Sequence, residues 1–213
     1  MLKVLVCCVT GVLLALAALP AAAHDVCPPW FRGDPLSVYA EWEFVGSDLY
    51  DDEPDTMYWI GDGIHEFHLS CYTHTHPYDV YWEEDPMDPT DGRVYTQSVP
   101  GRLDFFVCNF IDGYPYKYIW VQITYGGDGV PFVYETVAPP WDNPYYGELI
   151  RVVPCEPGQR VESWVLPLNP DREFVKVEIP PFTWVDQVII ETVSTLYSPV
   201  EDMSWGSIKA MYR

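Results

Sequence analysis

The sequence predicts an all-β chain, an antiparallel β-sandwich of jelly-roll type with long surface loops. Three observations carry that expectation. Apolar and polar residues alternate over several stretches, the period of a half-buried strand. Helical periodicity is nearly absent, and twenty-one prolines confine any helix to short pieces. Turn residues recur between the apolar stretches, as in folds made of many short strands.

The elements follow in chain order. Met1 to about Ala23 has Lys3 near its start, an apolar run from Val4 to Leu19 and a small-residue end, Pro20-Ala21-Ala22-Ala23. That is the pattern of an export signal, and it predicts a secreted or periplasmic protein. The organisation expected is a signal peptide over 1–23, a sandwich domain over 24–193 and a C-terminal extension over 194–213. Val38, Ala40, Trp42 and Phe44 alternate with Tyr39, Glu41 and Glu43, which predicts the first strand. Residues 45–64 and 77–101 are polar and irregular, and read as surface loops.

Leu103 to Ile111 is an apolar run broken only by Asp104 and Asn109, which predicts a strand buried on both faces. Ile119, Val121 and Ile123 alternate with Trp120, Gln122 and Thr124. Gly126-Gly127-Asp128-Gly129 then reads as a turn, and Val130 to Val137 as the returning arm of a hairpin. Three further strands are expected at Arg160 to Leu166, Glu173 to Ile179 and Trp184 to Val193. Proline-bearing connections lie between them, at Ala138 to Pro144 and Leu168 to Asp171.

Composition narrows the function. The full chain has a formal net charge of −21, and removal of residues 1–23 takes away Lys3 to leave −22. Such a chain repels phosphate backbones and anionic lipid, so nucleic-acid binding is not expected. High charge with few aromatics would suggest disorder, but nine Trp, sixteen Tyr and nine Phe supply a core. After the signal, no apolar stretch approaches the roughly 18 residues that span a bilayer, so no stable membrane insertion is expected once the signal is cleaved.

Cys7 and Cys8 leave with the signal. The remaining four, Cys27, Cys71, Cys108 and Cys155, predict two disulfides in an oxidising compartment, with three pairings possible. No CxxC pair points to a zinc ribbon or a thioredoxin-like site. Ala-Ala-Ala-His-Asp-Val before Cys27 is a poor match to a lipid-attachment signal.

The candidate sites are three. His65, His68, His74 and His76 fall within twelve residues. On a strand, His74 and His76 share a face at a spacing that lets two imidazoles hold one metal, with Glu66 or Asp79 as a carboxylate ligand. The plainer reading is loop surface around Cys71. Asp48, Asp51, Asp52 and Asp55 have the carboxylate density for calcium but lack the regular spacing of an EF-hand. Exposed aromatics are the third. Trp141, Asp142, Asn143, Tyr145 and Tyr146 occupy one proline-bounded loop, where rings could stack on sugar C–H faces and polar groups bond hydroxyls. Tyr78, Tyr81 and Trp82 form a second such set. The competing reading is that these rings cap the core.

Cys-Pro-Pro-Trp-Phe-Arg-Gly (27–33), Tyr-Ala-Glu-Trp-Glu-Phe (39–44), Trp-Val-Gln-Ile-Thr-Tyr (120–125) and Val-Asp-Gln-Val-Ile-Ile-Glu-Thr-Val (185–193) carry a resemblance. Together they look like segments of uncharacterised secreted proteins of planctomycete type, many of which bear a PEP-CTERM sorting tail. The resemblance implies export and no particular activity. Ser198-Pro199-Val200-Glu201 stands where the Pro-Glu-Pro motif of that tail would be.

No nucleophile elbow, phosphate loop, dinucleotide fingerprint or HExxH framework is present. The expectation is therefore a secreted, non-catalytic sandwich whose first ligand class is a glycan. Two alternatives stand beside it: a metal-dependent hydrolase using the His65–His76 region, and a purely structural, calcium-stabilised exported protein.

Overall fold

The computed structural model describes residues 34–47, 49, 53–60, 66–67, 72–75, 79–84, 92–167, 169–170 and 172–196. Among these there is no helix, and fifteen strands make the fold. They are β1 (Ser37–Trp42), β2 (Thr56–Ile60), β3 (Glu66–Phe67), β4 (Tyr72–Thr75), β5 (Tyr81–Glu84), β6 (Gly92–Tyr95), β7 (Gly101–Cys108) and β8 (Phe110–Ile111). There follow β9 (Tyr116–Gly127), β10 (Phe132–Ala138), β11 (Tyr145–Tyr146), β12 (Glu148–Val153), β13 (Gln159–Pro167), β14 (Arg172–Ile179) and β15 (Thr183–Thr195). The all-β, sandwich-like class expected from the alternation is what the chain adopts.

The large sheet is ordered β12-β13-β9-β15-β1-β2, and the small one β11-β10-β14-β7-β4; β3 and β8 form a separate pair. Every pairing between described strands is antiparallel. β15 is the spine of the large sheet. One edge carries β9 from Thr183↔Gly127 to Thr195↔Tyr116. The other edge is divided: Trp184 and Val185 pair with β6, whose far side holds β5, and Val188 to Val193 pair with β1.

Alternation decides what lies between the sheets. Ala40 and Trp42 of β1, Ile119, Val121 and Ile123 of β9, and Val185, Val188 and Ile190 of β15 line the inner side of the large sheet. Leu103, Phe105 and Val107 of β7 and Val175, Val177 and Ile179 of β14 meet them from the small sheet. Trp42 and Phe105 touch across the gap, ring centroids 4.8 Å apart. Burying a side chain of this kind contributes about 1.5–3 kcal/mol, so this interior is the main source of stability.

One end of the interior is polar. Lys117 of β9 and Glu173 of β14 are both fully buried, with Nζ 3.8 Å from Oε2. Lys117 also donates to Pro170 O at 2.8 Å. Asn109 donates to Glu173 and accepts from Thr192 of β15 at 2.7 Å. Beside them Ser194 donates to Asp112 Oδ2 at 2.6 Å, and Asn169 donates to Asp112 Oδ1. Strands from both sheets are thereby tied by groups that alternation turns inward at the same level.

Several expectations are corrected. The hairpin of residues 119–137 does not form: β9 is already paired on both edges, by β13 and β15, so β10 joins β14 in the small sheet. The stretch Leu103 to Ile111 is two strands, β7 and β8, buried on both faces from Phe105 to Phe110, with Asp104 turned towards the outer face. The irregular segments contain three short strands: β2 adds to β1, β5 adds to β6, and β6 reaches far along the chain to β15. Strand β12 was not foreseen; as an edge strand it is largely exposed, and its alternation is weak.

Replacing Lys117 by Met leaves the Glu173 carboxylate buried without its cation. Denaturant unfolding should show a loss of about 3–5 kcal/mol, the cost of breaking a buried pair from one side. The double variant Lys117→Met/Glu173→Leu should recover much of that loss, because the remaining buried charge is gone.

Candidate functional site

The outer face of the small sheet carries the site. On β14 the inward residues are Glu173, Val175, Val177 and Ile179, so Arg172, Phe174, Lys176 and Glu178 face out. The register sets Asp104 of β7 opposite Lys176, and Lys176 opposite Glu135 of β10, giving a row of three charges across three strands. A second row sets Phe106 opposite Phe174, and Phe174 opposite Val137. Tyr146 of β11 continues it, opposite Val137.

Over this surface the 139–144 connection places Trp141, its ring centroid 5.4 Å from that of Phe174. Phe174 in turn meets Phe106 edge-on at 5.1 Å. Asp104, Glu135, Val137, Trp141, Pro144, Tyr146, Phe174 and Lys176 enclose an open groove of about 320 Å³. Trp141 and Tyr146 are 48% and 58% exposed, so their faces are available to a ligand.

The loop is held locally. Asn143 N donates to Pro140 O at 3.0 Å, closing a turn around Trp141. Gly147 N donates to Thr136 O at 2.9 Å. A Cβ on Gly147 would lie 1.7 Å from Thr136 Oγ1, so only glycine lets β11 come this close to β10. That contact seats Tyr146 at the groove.

The charges are paired. Lys176 bonds Glu135, and Arg102 Nη2 lies 2.7 Å from Asp104 Oδ2. The Arg102 guanidinium stands 5.9 Å over the Tyr134 ring. Burial works to lower the pKa of Arg102, but the charge and hydrogen bond of Asp104 outweigh it and raise the value. Burial first, and then the Asp104 charge, push the Tyr134 phenol up to about 12.

Of the aromatic loop expected from sequence, Trp141 and Tyr146 enter the groove. Asp142 and Asn143 do not line it and are exposed. Tyr145 pairs with Ala138, whose side chain belongs to the interior, and so alternates away from Tyr146. The groove residues not foreseen are Asp104, Glu135, Val137, Pro144, Phe174 and Lys176. One signal was available: Phe174 is an aromatic in the outward register of β14, among Arg172, Lys176 and Glu178.

The second aromatic set is divided. Trp82 packs on the interior and donates its Nε1–H to Phe44 O at 2.7 Å, whereas Tyr81 is 39% exposed. Tyr78 lies outside the described residues.

The metal candidates fall largely outside the described residues, which include none of His65, His68, His76, Asp48, Asp51 and Asp52. The backbone of His74 lies in β4, opposite Asp104. Asp55 is taken up locally, accepting from Glu43 N at 2.6 Å. Among the described residues no group of three or more His, Cys, Asp or Glu could hold a metal, and no helix is long and apolar enough to cross a membrane.

Cys27 and Cys71 also lie outside the described residues. The expectation that Cys155 joins a disulfide is corrected: it carries a free thiol, 2.8 Å from Gln159 O. Topology separates it from Cys108 in particular: Cys155 packs with Tyr118, Trp120, Val161 and Val193, outward residues of the large sheet, whereas Cys108 is buried in the interior between the sheets.

No family model, curated protein or solved structure matches this chain.

The raised phenol gives a pH prediction. The fold favours neutral Tyr134, so its contribution is complete below the ordinary value of 10.0 and is lost as pH rises towards about 12. Phenolate absorbance during alkaline titration should include ionisation at about pH 12, and Tyr134→Phe should lower the amplitude of that late step by one phenol.

Proposed function

We propose that this chain is an exported, non-catalytic β-sandwich module that binds neutral carbohydrate in the groove of Trp141, Tyr146 and Phe174. The observation that carries the reading is the pairing of exposed ring faces with charges that already neutralise one another. Sugar rings are amphipathic. Their C–H faces suit the aromatic walls formed by Trp141 and Tyr146. Their hydroxyls suit carboxylate acceptors and an ammonium donor, which Asp104, Glu135 and Lys176 supply at one side of the groove.

The volume and the charge support the same class. About 320 Å³ is at the lower end of small-ligand sites and is open enough for a chain to continue past it. With a formal net charge of −21, the chain disfavours anionic ligands at long range, and a neutral glycan carries no charge to be repelled.

Export is part of this reading and is supported by the sequence pattern of residues 1–23. A disulfide from Cys108 belongs to it as well. What supports it is that Cys108 is fully buried and is not a free thiol.

A glycan array with the intact protein and its Trp141→Ala variant tests the reading. Wild-type binding to one or more neutral glycans is expected, and the variant should lose at least about tenfold in affinity, about 1.4 kcal/mol. Its melting temperature should stay close to wild type, because Trp141 is 48% exposed. Equal binding by variant and wild type, or no binding by either, would overturn the reading.

A further inference from the structure

The outer face of the small sheet carries a third row, next to the two that build the groove. On β14 the outward residue after Phe174 and Lys176 is Glu178. The register sets Arg102 of β7 on one side of it and Phe132 of β10 on the other. At about 3.4 Å per residue, this row lies roughly 7 Å beyond Lys176 and roughly 14 Å from Phe174.

A break in the ladder adds Tyr134 to this row. The register of β10 against β14 shifts between Val133 and Glu135, which leaves Tyr134 as an extra residue. Val133 packs in the interior, whereas Tyr134 and Glu135 are both half-buried. The Arg102 guanidinium stands 5.9 Å over the Tyr134 ring, so that ring belongs to the outer face.

Arg102 is thereby held from two sides, by Tyr134 and by Asp104 two residues along its own strand. Asp104 takes a hydrogen bond from Nη2, and the Arg102 side chain stays 43% exposed, so donors of its planar fork remain for a ligand. Glu178 beside it is half-buried and forms no ion pair among the described residues, because Arg102 is drawn to Asp104 instead. Residues directly opposite on neighbouring strands have Cβ atoms about 4.5–5.5 Å apart. A donor and an acceptor therefore stand side by side, each with capacity left.

That juxtaposition selects its ligand. An anion drawn to Arg102 meets the Glu178 carboxylate, and a cation drawn to Glu178 meets the guanidinium. Neighbouring hydroxyls, in contrast, accept from the one and donate to the other at once. We propose that Arg102 and Glu178 form a second subsite of the groove, which orients hydroxyls of a neutral oligosaccharide running along β14 from the Trp141 end. The choice of a sugar rests on the reading of the groove; the two residues add a direction and a preference for longer chains. A sugar confined to the Trp141 end does not reach Glu178.

The test is calorimetric titration of the intact protein with disaccharides and hexasaccharides of neutral gluco-, xylo- and manno-series. In at least one series the wild type should bind the hexasaccharide about tenfold tighter than the disaccharide, the weight of two hydrogen bonds. Glu178→Ala and Arg102→Ala should each lower that ratio about two- to tenfold, the weight of one such bond. Glu178→Gln keeps an acceptor and should retain most of the ratio. The Glu178 variants should melt with the wild type, since no ion pair is lost. Trp141→Ala should weaken both lengths together.

An unchanged ratio in both alanine variants would overturn the second subsite and leave the groove standing. Wild-type binding by Trp141→Ala would overturn the groove reading instead, and no binding to any probe would overturn both. A hexagalacturonate held more tightly than every neutral hexasaccharide would make Arg102 an anion site and overturn the proposal.

Discussion

The pairing of β9 with β15 is the contact on which the rest of the structure depends. Both strands are long, and they run together from Thr183↔Gly127 to Thr195↔Tyr116. Once joined, each offers one remaining edge. The free edge of β9 takes β13, and that of β15 is long enough for β6 and β1 in succession. Strands too short to be stable alone, such as β5 and β2, then add to partners already in place. This pairing also excludes the β9–β10 hairpin, sending β10 into the small sheet, where it supplies Glu135 and Val137 to the groove.

The second constraint is the polar end of the interior. Lys117 and Glu173 come from opposite sheets and are both removed from water. Their attraction does not make the fold more stable than a hydrophobic pair would, because desolvation offsets it. Their effect is on position. A one-residue slip of β14 against β7 would carry Glu173 to the outer face and Phe174 to the interior. Pro170 O accepts from Lys117, and Asn109 donates to Glu173 while accepting from Thr192, so the relative level of the two sheets is set by several bonds at once.

The outer aromatic surfaces arise where alternation turns a ring away from the interior. Phe174 on β14, Tyr146 on β11 and Trp184 on β15 all face outward from strands whose opposite face fills the interior. In each case glycine or a tight turn adjusts the backbone beside them: Gly147 against Thr136, Gly126 beneath Trp184, and the Asn143–Pro140 turn around Trp141. These glycines contribute close approach instead of a side chain, and the aromatic occupies the space. The Lys176–Glu135 and Arg102–Asp104 pairs compensate the charges that line the groove despite the acidic composition.

The sequence by itself determined the class, most long strands and one part of the groove. Val121, Val175 and Val188 lie in period-2 patterns that only a half-buried strand explains, and Trp141 and Tyr146 stood out as aromatics in a proline-bounded loop. It also showed that nothing in the chain spells a known catalytic motif. What it could not determine was partnership, since alternation says which face of a strand is apolar but not which strand lies beside it. Hence the hairpin expected after Thr124 proved to be a crossing between sheets, and the four cysteines could not be assigned. Hence also Asp104, Lys176 and Glu135, which are separated by some thirty to seventy residues in sequence, became one row only through register. Short edge strands such as β5 and β12 were illegible for the same reason: their stability comes from a neighbour, and a neighbour is a property of the tertiary structure.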